Sequence, residues 1–417
     1  MFKVCCYNFN KSAAGLSVIK KLLNYKTIIV SLIILQCIVA FVINLNTQRE
    51  INTFIAHKTK SSEVEYQAVY TKVKEQSNMI FQGNINTPTV ISIFKNANTS
   101  DKKQQNIIRE ALYKHLLPNY KKFNKLIYLE QLHFHLPDNK SFLRMHKPNK
   151  YGDDLTGIRA TVEYVNKFKK PIDGFEEGRV KNGFRFVYPL FDEENKYLGS
   201  VEASFTIEAF NQALNNELHL SLFIIRKSIV HKNSWPESII QNYSEAEISP
   251  LFLLNTTQYN DNALAKVANI RKHITSEIKS SFSKSILTEN AFSLPLSLAG
   301  KTYLLTFLPI KNSVLNKVTS YVVLITQDSV LNDINEEFWI LQGIGFLFVL
   351  ILFYFFYRNQ INHENLLQSK LKYSTIINNV KDYYFIYSHD ANGIFTYVSH
   401  SITDVLGYST EHFLKHY

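Results

Sequence analysis

Cysteine is nearly missing from this chain. Cys5, Cys6 and Cys37 are all there are, and none occurs in residues 38–417. That excludes a disulfide-stapled secreted scaffold. Cys5 and Cys6 are adjacent, with no further Cys or His close by, which is not a zinc spacing. Glycine and proline are also sparse, 13 and 10 of 417 residues, so fibrous and low-complexity chains are excluded. No acidic residue precedes Glu50. The formal net charge is +11, yet the lysines are scattered and form no dense basic arm, so no nucleic-acid partner is expected. A Gly-rich phosphate loop is absent, and no Ser/His/Asp or Cys/His set converges. Nothing in the pattern argues for catalysis.

Long hydrophobic runs are present instead. TIIVSLIILQCIVAFVINL, residues 27–45, and FWILQGIGFLFVLILFYFFY, residues 338–357, carry no charge. Each is long enough to cross a bilayer core, and neither shows the polar face of a soluble core helix. Lys3, Lys11, Lys20, Lys21 and Lys26 precede the first run, and Arg358, Lys370 and Lys372 follow the second. The positive-inside rule places both ends in the cytoplasm and residues 46–337 outside it. The first run is long for a cleaved leader, and no A-x-A-like site follows it, so an uncleaved anchor is expected. The lipid bilayer is then one partner.

The outer segment reads as α+β. From Thr47 a helical pattern continues through Ile51, Ile55, Tyr66, Val69, Tyr70, Val73 and Ile80, without Pro or Gly until Gly83. A second helical pattern carries Ile107, Ile108, Leu112, Leu116 and Tyr120. The period then drops to two. LHFHLPDNKSFLRMH predicts a hairpin turning near Asp138-Asn139. Leu132, Phe134, Leu136, Leu143 and Met145 would share the core face; His133, His135, Phe142, Arg144 and His146 would share the other. DLTGIRATVEYVNKFKK predicts a short helix. NGFRFVYPLF and YLGSVEASF predict a second hairpin around residues 192–195, with Phe186 beside Val201, Phe184 beside Ala203 and Arg185 opposite Glu202. A linking helix near 207–217 leads to further strands in LSLFIIRKSIV, FSLPLSL, TYLLTFLPI and TSYVVLIT. His133 and His135 on one strand face have a metal-compatible spacing, but Arg144 opposite His133 opposes a cation, and no metal is expected.

One stretch resembles a known family. Phe142-Leu143-Arg144-Met145-His146, Tyr151-Gly152-Asp153-Asp154, Arg159, Gly174-Phe175-Glu176-Glu177-Gly178-Arg179, Gly183-Phe184-Arg185, Pro189 and Gly199-Ser200-Val201-Glu202 resemble a double Cache sensor domain. The match is dense over residues 142–204. The resemblance implies a long N-terminal helix and two PAS-like α/β modules in series. The distal module would cover about 126–206 and the proximal one about 218–327. It also implies a small-molecule ligand against one face of the distal sheet, beneath loops and a helix. The Arg-x-Trp-Tyr run of amino-acid-binding Cache domains is absent. The expected ligand-binding residues are Arg144, His146, Tyr151, Asp153, Asp154, Arg185 and Glu202. Arg matches a carboxylate as a bidentate fork, so the ligand is expected to be anionic or zwitterionic, a carboxylate for instance. Pairing of these arginines with nearby acids is the alternative.

The last 45 residues resemble the first half of a PAS domain. Strand Tyr384–Tyr387, the turn Asp390-Ala391-Asn392-Gly393, strand Ile394–Val398 and a helix ending at Leu406-Gly407-Tyr408 follow that order. A heptad-like stripe of Ile361, Leu367, Leu371, Ile376 and Ile377 precedes it and suits a dimer coiled coil. No cofactor is visible: the half-domain shows no haem-binding His or flavin-reactive Cys, and its cofactor stays unassigned. Gly152-Asp153-Asp154 lacks the rest of a cyclase signature, and His363-Glu364-Asn365 is followed by no kinase ATP-binding sequence.

The expected organisation is a cytoplasmic N-terminus (1–26), a membrane helix (27–45), an outer sensor (46–337), a second membrane helix (338–357), a linker helix (358–372) and a PAS half (373–417). The expectation is a fragment of a bacterial inner-membrane receptor and a homodimer, with no catalytic domain of its own. The missing output is expected to be a histidine kinase with a response regulator as partner; a diguanylate cyclase or a chemotaxis-type receptor are alternatives. A transporter's substrate-binding subunit would not carry the PAS half. Reporter fusions at residues 200 and 365 should report opposite compartments; the same compartment for both contradicts this topology.

Overall fold

The computed structural model describes residues 7–99, 101–177, 182–214, 219–232, 240–241, 243–255, 268–380 and 384–416. Lys3, Cys5, Cys6, Gly178 and Arg179, used above, lie outside them, as do residues 215–217 of the linking helix. The chain divides into two compact units, residues 47–336 and residues 1–46 with 337–417.

Helix α1 runs Tyr7–Ile80. At Phe81 it passes into one π-helical turn, Phe81–Ile85, which contains Gly83. Thr87 caps α2 (Pro88–Phe94), with Pro88 in the first turn where its missing N–H costs nothing. Asp101 caps α3 (Lys102–Ile127) by accepting from Lys103 N at 2.8 Å, and Tyr128 ends it in a left-handed conformation.

The first sheet has the order β2-β1-β5-β4-β3. Its strands are β1 (Leu129–His135), β2 (Ser141–Arg144), β3 (Ile172–Glu176), β4 (Gly183–Phe191) and β5 (Tyr197–Thr206). One face, with Leu132, Phe134, Phe184, Phe186 and Phe205, packs against α1, α2 and α5 (Ile207–Leu214). Phe184 stacks on Phe210 of α5 at 3.7 Å and meets Tyr70 of α1 edge-on. Phe94 of α2 tilts against Phe134. Each fully buried phenylalanine of this kind is worth roughly 2–3 kcal/mol. The other face is covered by the loop after β2 and by α4 (Ala160–Phe168), whose Val162 and Val165 are buried.

Two register expectations are corrected. In the β1–β2 hairpin a bulge pairs His135 with Ser141, while His133 still faces Arg144. Phe142 is the extra residue. It turns to Phe94, at 5.3 Å, instead of joining the histidines. In the second hairpin Phe186 pairs with Ala203, Phe184 with Phe205 and Arg185 with Ser204, two residues from the expected register, with a bulge at Leu190/Phe191. A slip of two leaves every side chain on its intended face.

The second sheet has the order β7-β8-β6-β11-β10-β9, from β6 (His219–Arg226), β7 (Tyr243–Ala246), β8 (Ser249–Asn255), β9 (Phe292–Leu298), β10 (Lys301–Lys311) and β11 (Val318–Gln327). The expected strand LSLFIIRKSIV is shorter than its pattern, because Lys227–Lys232 form α6. Helix α7 (Ser276–Ser285) packs Phe282 on Phe252, Phe307 and Tyr321. The two sheets meet at the edge of β3. Phe175 bridges to Asn312, Ser313 N donates to Phe175 O at 3.0 Å, and Asn312 Nδ2 donates to Glu177 at 2.7 Å. Gly174 makes this approach possible, since a Cβ there would lie 2.7 Å from Ser313 Cβ.

In the other unit, the apolar stretches of α1 and of α8 (Val330–Val380) are adjacent: Gln342 Nε2 donates to Ala40 O at 3.2 Å. Both helices are long and apolar enough to cross a membrane by length and composition. Strands β12 (Tyr387–His389) and β13 (Phe395–Val398) form an antiparallel pair, followed by α9 (Ile402–Leu406) and α10 (Thr410–His416).

Gly199 has φ +138°, and a Cβ there would sit 2.2 Å from the carbonyl oxygen of His135. Gly199→Ala therefore should destabilise the protein by on the order of 3 kcal/mol, read as a lowered thermal midpoint. Gly83→Ala, with nothing within 4 Å of the new Cβ, is the near-neutral control. Equal midpoints for the two variants would contradict this account.

Candidate ligand-binding site

The covered face of the first sheet is polar and buried. His133, His135, Ser200 and Glu202 are 0% exposed, and Arg185 and Glu176 are 3% exposed. Alternation along β1, β4 and β5 sends these side chains away from the phenylalanine core. Arg159 and Thr161, at the start of α4, reach down onto them.

Burying this many charges is tolerable only if each is matched, and three guanidiniums meet three carboxylates here. Arg185 Nη1 donates to Glu202 Oε1 at 2.7 Å and its Nε lies 3.0 Å from Glu176 Oε2. Arg159 Nε donates to Glu176 Oε2 at 3.1 Å, and its Nη2 donates to Glu202 Oε2. Thr161 adds its backbone N–H, at 3.0 Å, and its hydroxyl, at 2.8 Å, to Glu176. Arg144 grips Asp153 with both Nη atoms, at 2.7 and 2.8 Å, and donates to Lys150 O at 2.8 Å. Burial pushes the Glu202 carboxyl up, but Arg159 and then Arg185 outweigh it and hold it well below the usual carboxylate range. The hydrogen bonds from Arg144 likewise lower Asp153.

The two histidines sit edge to face, centroids 4.1 Å apart. His133 Nε2 pairs with Ser141 Oγ at 2.8 Å, and His135 Nδ1 with Ser200 Oγ at 3.1 Å. Their remaining nitrogens, His133 Nδ1 and His135 Nε2, have no hydrogen-bond partner among the described residues. Burial first, with further contributions from the cations around them, keeps both rings neutral. His133 is pushed well below the ordinary range, and His135 is pushed down to about 3 despite Glu202.

The seven residues singled out from the sequence do not all converge. Arg185 and Glu202 are in the buried cluster, and Arg144 and Asp153 close its rim, with side chains 11% and 39% exposed. His146 is half-buried beside them, and burial pushes its ring down to about 4. Tyr151 instead lies under Arg109, whose guanidinium carbon is 3.5 Å from the tyrosine ring centroid. Asp154 accepts from Thr156 N at 2.9 Å in its own loop. Arg159, Glu176, His133 and His135 complete the cluster and were not among the seven. Arg159 and Glu176 stand in the family-like run, so the signal was there, but nothing local separates them from surface charges.

Glu176 and Glu202 fill the space between the cations. A crevice of about 10 Å³ opens beside Arg185, next to Glu130, Asn182 and Ser204. A cavity of about 880 Å³ lies elsewhere in this unit, between α1, β3 and the segments 289–293 and 309–316.

The profile of a family described as the double sensory domain of two-component sensor kinases matches residues 65–318. No curated protein matches the sequence. Among solved structures, the extracellular domain of the putative histidine kinase vpHK1S-Z8 is similar at 12% identity, covering 69% of this chain and 95% of its own, with a TM-score of 0.35. The ligand-binding domain of the Campylobacter jejuni chemoreceptor Tlp3, in complex with L-valine, has 10% identity, coverages of 69% and 97% and a TM-score of 0.36. The sensor domain of the V. cholerae histidine kinase DctB has 9%, 67% and 99%, and 0.34.

Removing one member of a matched buried set leaves the others uncompensated. Glu202→Gln should therefore cost about 3–5 kcal/mol, far more than Asp154→Asn in the exposed loop, in denaturant titrations of the two variants. A Glu202→Gln midpoint within error of wild type would show that the cluster is not held by charge.

Proposed function

Since the chain belongs to the double Cache family, the double sensory domains of two-component sensor kinases, we propose that it is a transmembrane receptor. Its outer domain, residues 46–337, senses a small anionic or zwitterionic metabolite at the polar face of the distal module. The distal module is about residues 126–206 and the proximal one about 218–327. The stretches 27–45 and 338–357 are the membrane spans, with both termini in the cytoplasm of a bacterial inner membrane. Residues 373–417 begin a PAS relay. The Asp390 turn supports this, its carboxylate accepting from Asn392 N and Ile394 N at 2.9 Å each, with Gly393 at φ +82°. The output is a histidine kinase acting on a response regulator, with a cyclase or a chemoreceptor as alternatives, and the receptor works as a homodimer.

The observation that carries the ligand reading is the Arg144–Asp153 fork. The arginine is buried and anchored to Lys150 O, while its acid sits on an exposed loop. A ligand carboxylate can take the place of Asp153 without leaving a buried charge unpaired. Loop residues 147–156 would then be released, and a state that differs in this loop is favoured only as far as the ligand binds it better. Arg185 and Glu202 lie behind this rim, and His146 beside it.

The test is a thermal-shift screen of the purified chain in micelles against organic acids, amines and neutral metabolites. Arg144→Ala should weaken the hit about 100-fold, roughly 2.7 kcal/mol, at little cost in melting temperature. Asp153→Asn should tighten it by removing the internal competitor. A neutral or purely cationic hit, or an Arg144→Ala variant that binds normally, would refute the anionic reading.

A further inference from the structure

Two ring nitrogens inside the distal module, His133 Nδ1 and His135 Nε2, are buried without a hydrogen-bond partner among the described residues. A buried polar atom left unpaired is costly, and such atoms in a native core call for an explanation. Beside them stands Glu202. One nitrogen of each histidine and one Glu202 carboxylate oxygen lie within 4.8 Å of one another, and His135 Nε2 is 4.0 Å from Glu202 Oε2. The opposite ring nitrogens are held by Ser141 and Ser200. Second-sphere bonds of this kind fix the orientation of a ligating imidazole.

We propose that His133, His135 and Glu202 form a site for a transition-metal dication of the zinc class, buried behind the Arg144 rim where the sensed anion is proposed to bind. Neutral imidazoles and a carboxylate suit a borderline-soft ion. Tetrahedral bonds of about 2.0–2.2 Å place donors roughly 3.4 Å apart, so the three side chains would draw together by about 1 Å.

The objection from charge is weaker than the sequence suggested. Arg144, opposite His133, is neutralised by Asp153, and Arg159 and Arg185 by Glu176 and Glu202. The set sums to zero before the ion arrives. A bare dication would leave +2 buried, whereas an anion bound at the rim offsets part of that charge. Metal and anion should therefore bind with positive coupling, each raising the affinity of the other by the same factor. This part rests on the proposed anionic ligand; the metal site itself does not.

Co²⁺ is the probe, added to the full chain in micelles in a background where Cys5→Ser, Cys6→Ser and Cys37→Ser remove thiolate ligands. The expected result is one equivalent of Co²⁺ bound with visible d–d bands, reversed by EDTA, and at least 100-fold weaker in His133→Ala and in His135→Ala. Melting curves without metal establish that these variants fold. His135→Gln, which keeps the volume, is the second variant if His135→Ala does not. No visible band, or a band unchanged in the histidine variants, overturns the site. An organic acid that binds equally with and without EDTA overturns the coupling and leaves the receptor reading standing.

Discussion

The Glu202 carboxylate is the interaction on which the outer domain depends. It lies with no solvent exposure between Arg159 and Arg185. Through it β5, β4 and the start of α4 are tied to one point, and through Glu176 the same arginines reach β3. A buried carboxylate of this kind does not repay its desolvation by attraction alone. Each oxygen of Glu202 and Glu176 accepts a hydrogen bond within the set, which ties the strands to the loop before α4. The phenylalanine face supplies the bulk of the stability; the ionic face fixes how the loop before α4 lies on the sheet.

That division explains what a reader of the sequence can and cannot see. Period-two alternation assigns Phe184 and Phe186 to one face and Arg185 to the other, whatever the register. It is blind to slips of two, and Arg185 lies opposite Ser204 where the pattern had placed it opposite Glu202. The long guanidinium still spans the diagonal, and the ion pair survives. Phe142 was misplaced for a related reason: a single-residue bulge after Phe134 reverses its side, and nothing in SFLR marks it. Strands β3, β7 and β8 were not expected; Asp173-Gly174 breaks the alternation of β3, and β7 is only four residues long. Arg159 comes from a loop, and its partners are 17 and 43 residues away. No local pattern encodes a contact of that kind.

The protein's own acids pair with Arg144, Arg159 and Arg185. Those acids differ in depth: Glu202 and Glu176 are sealed in, while Asp153 stands in a loop whose Gly152 takes a left-handed φ of +84°. The deep pairs are closed off from solvent, and the shallow one is reachable from it. Such a gradient of burial lets a receptor keep a stable core while leaving one contact weak enough to be contested.

The joint at Gly174 has a further consequence. β3 is the last strand of its sheet, and an open strand edge is a template for pairing with another chain. Here the turn after β10 takes the Phe175 carbonyl through Ser313 N, so that edge is occupied by the protein's own second module. Substitutions that loosen the turn, at Asn312 or Ser313, would thus unmask an adhesive edge beside Phe175. Their phenotype would be loss of receptor through self-association, a failure of solubility that mimics a failure of sensing.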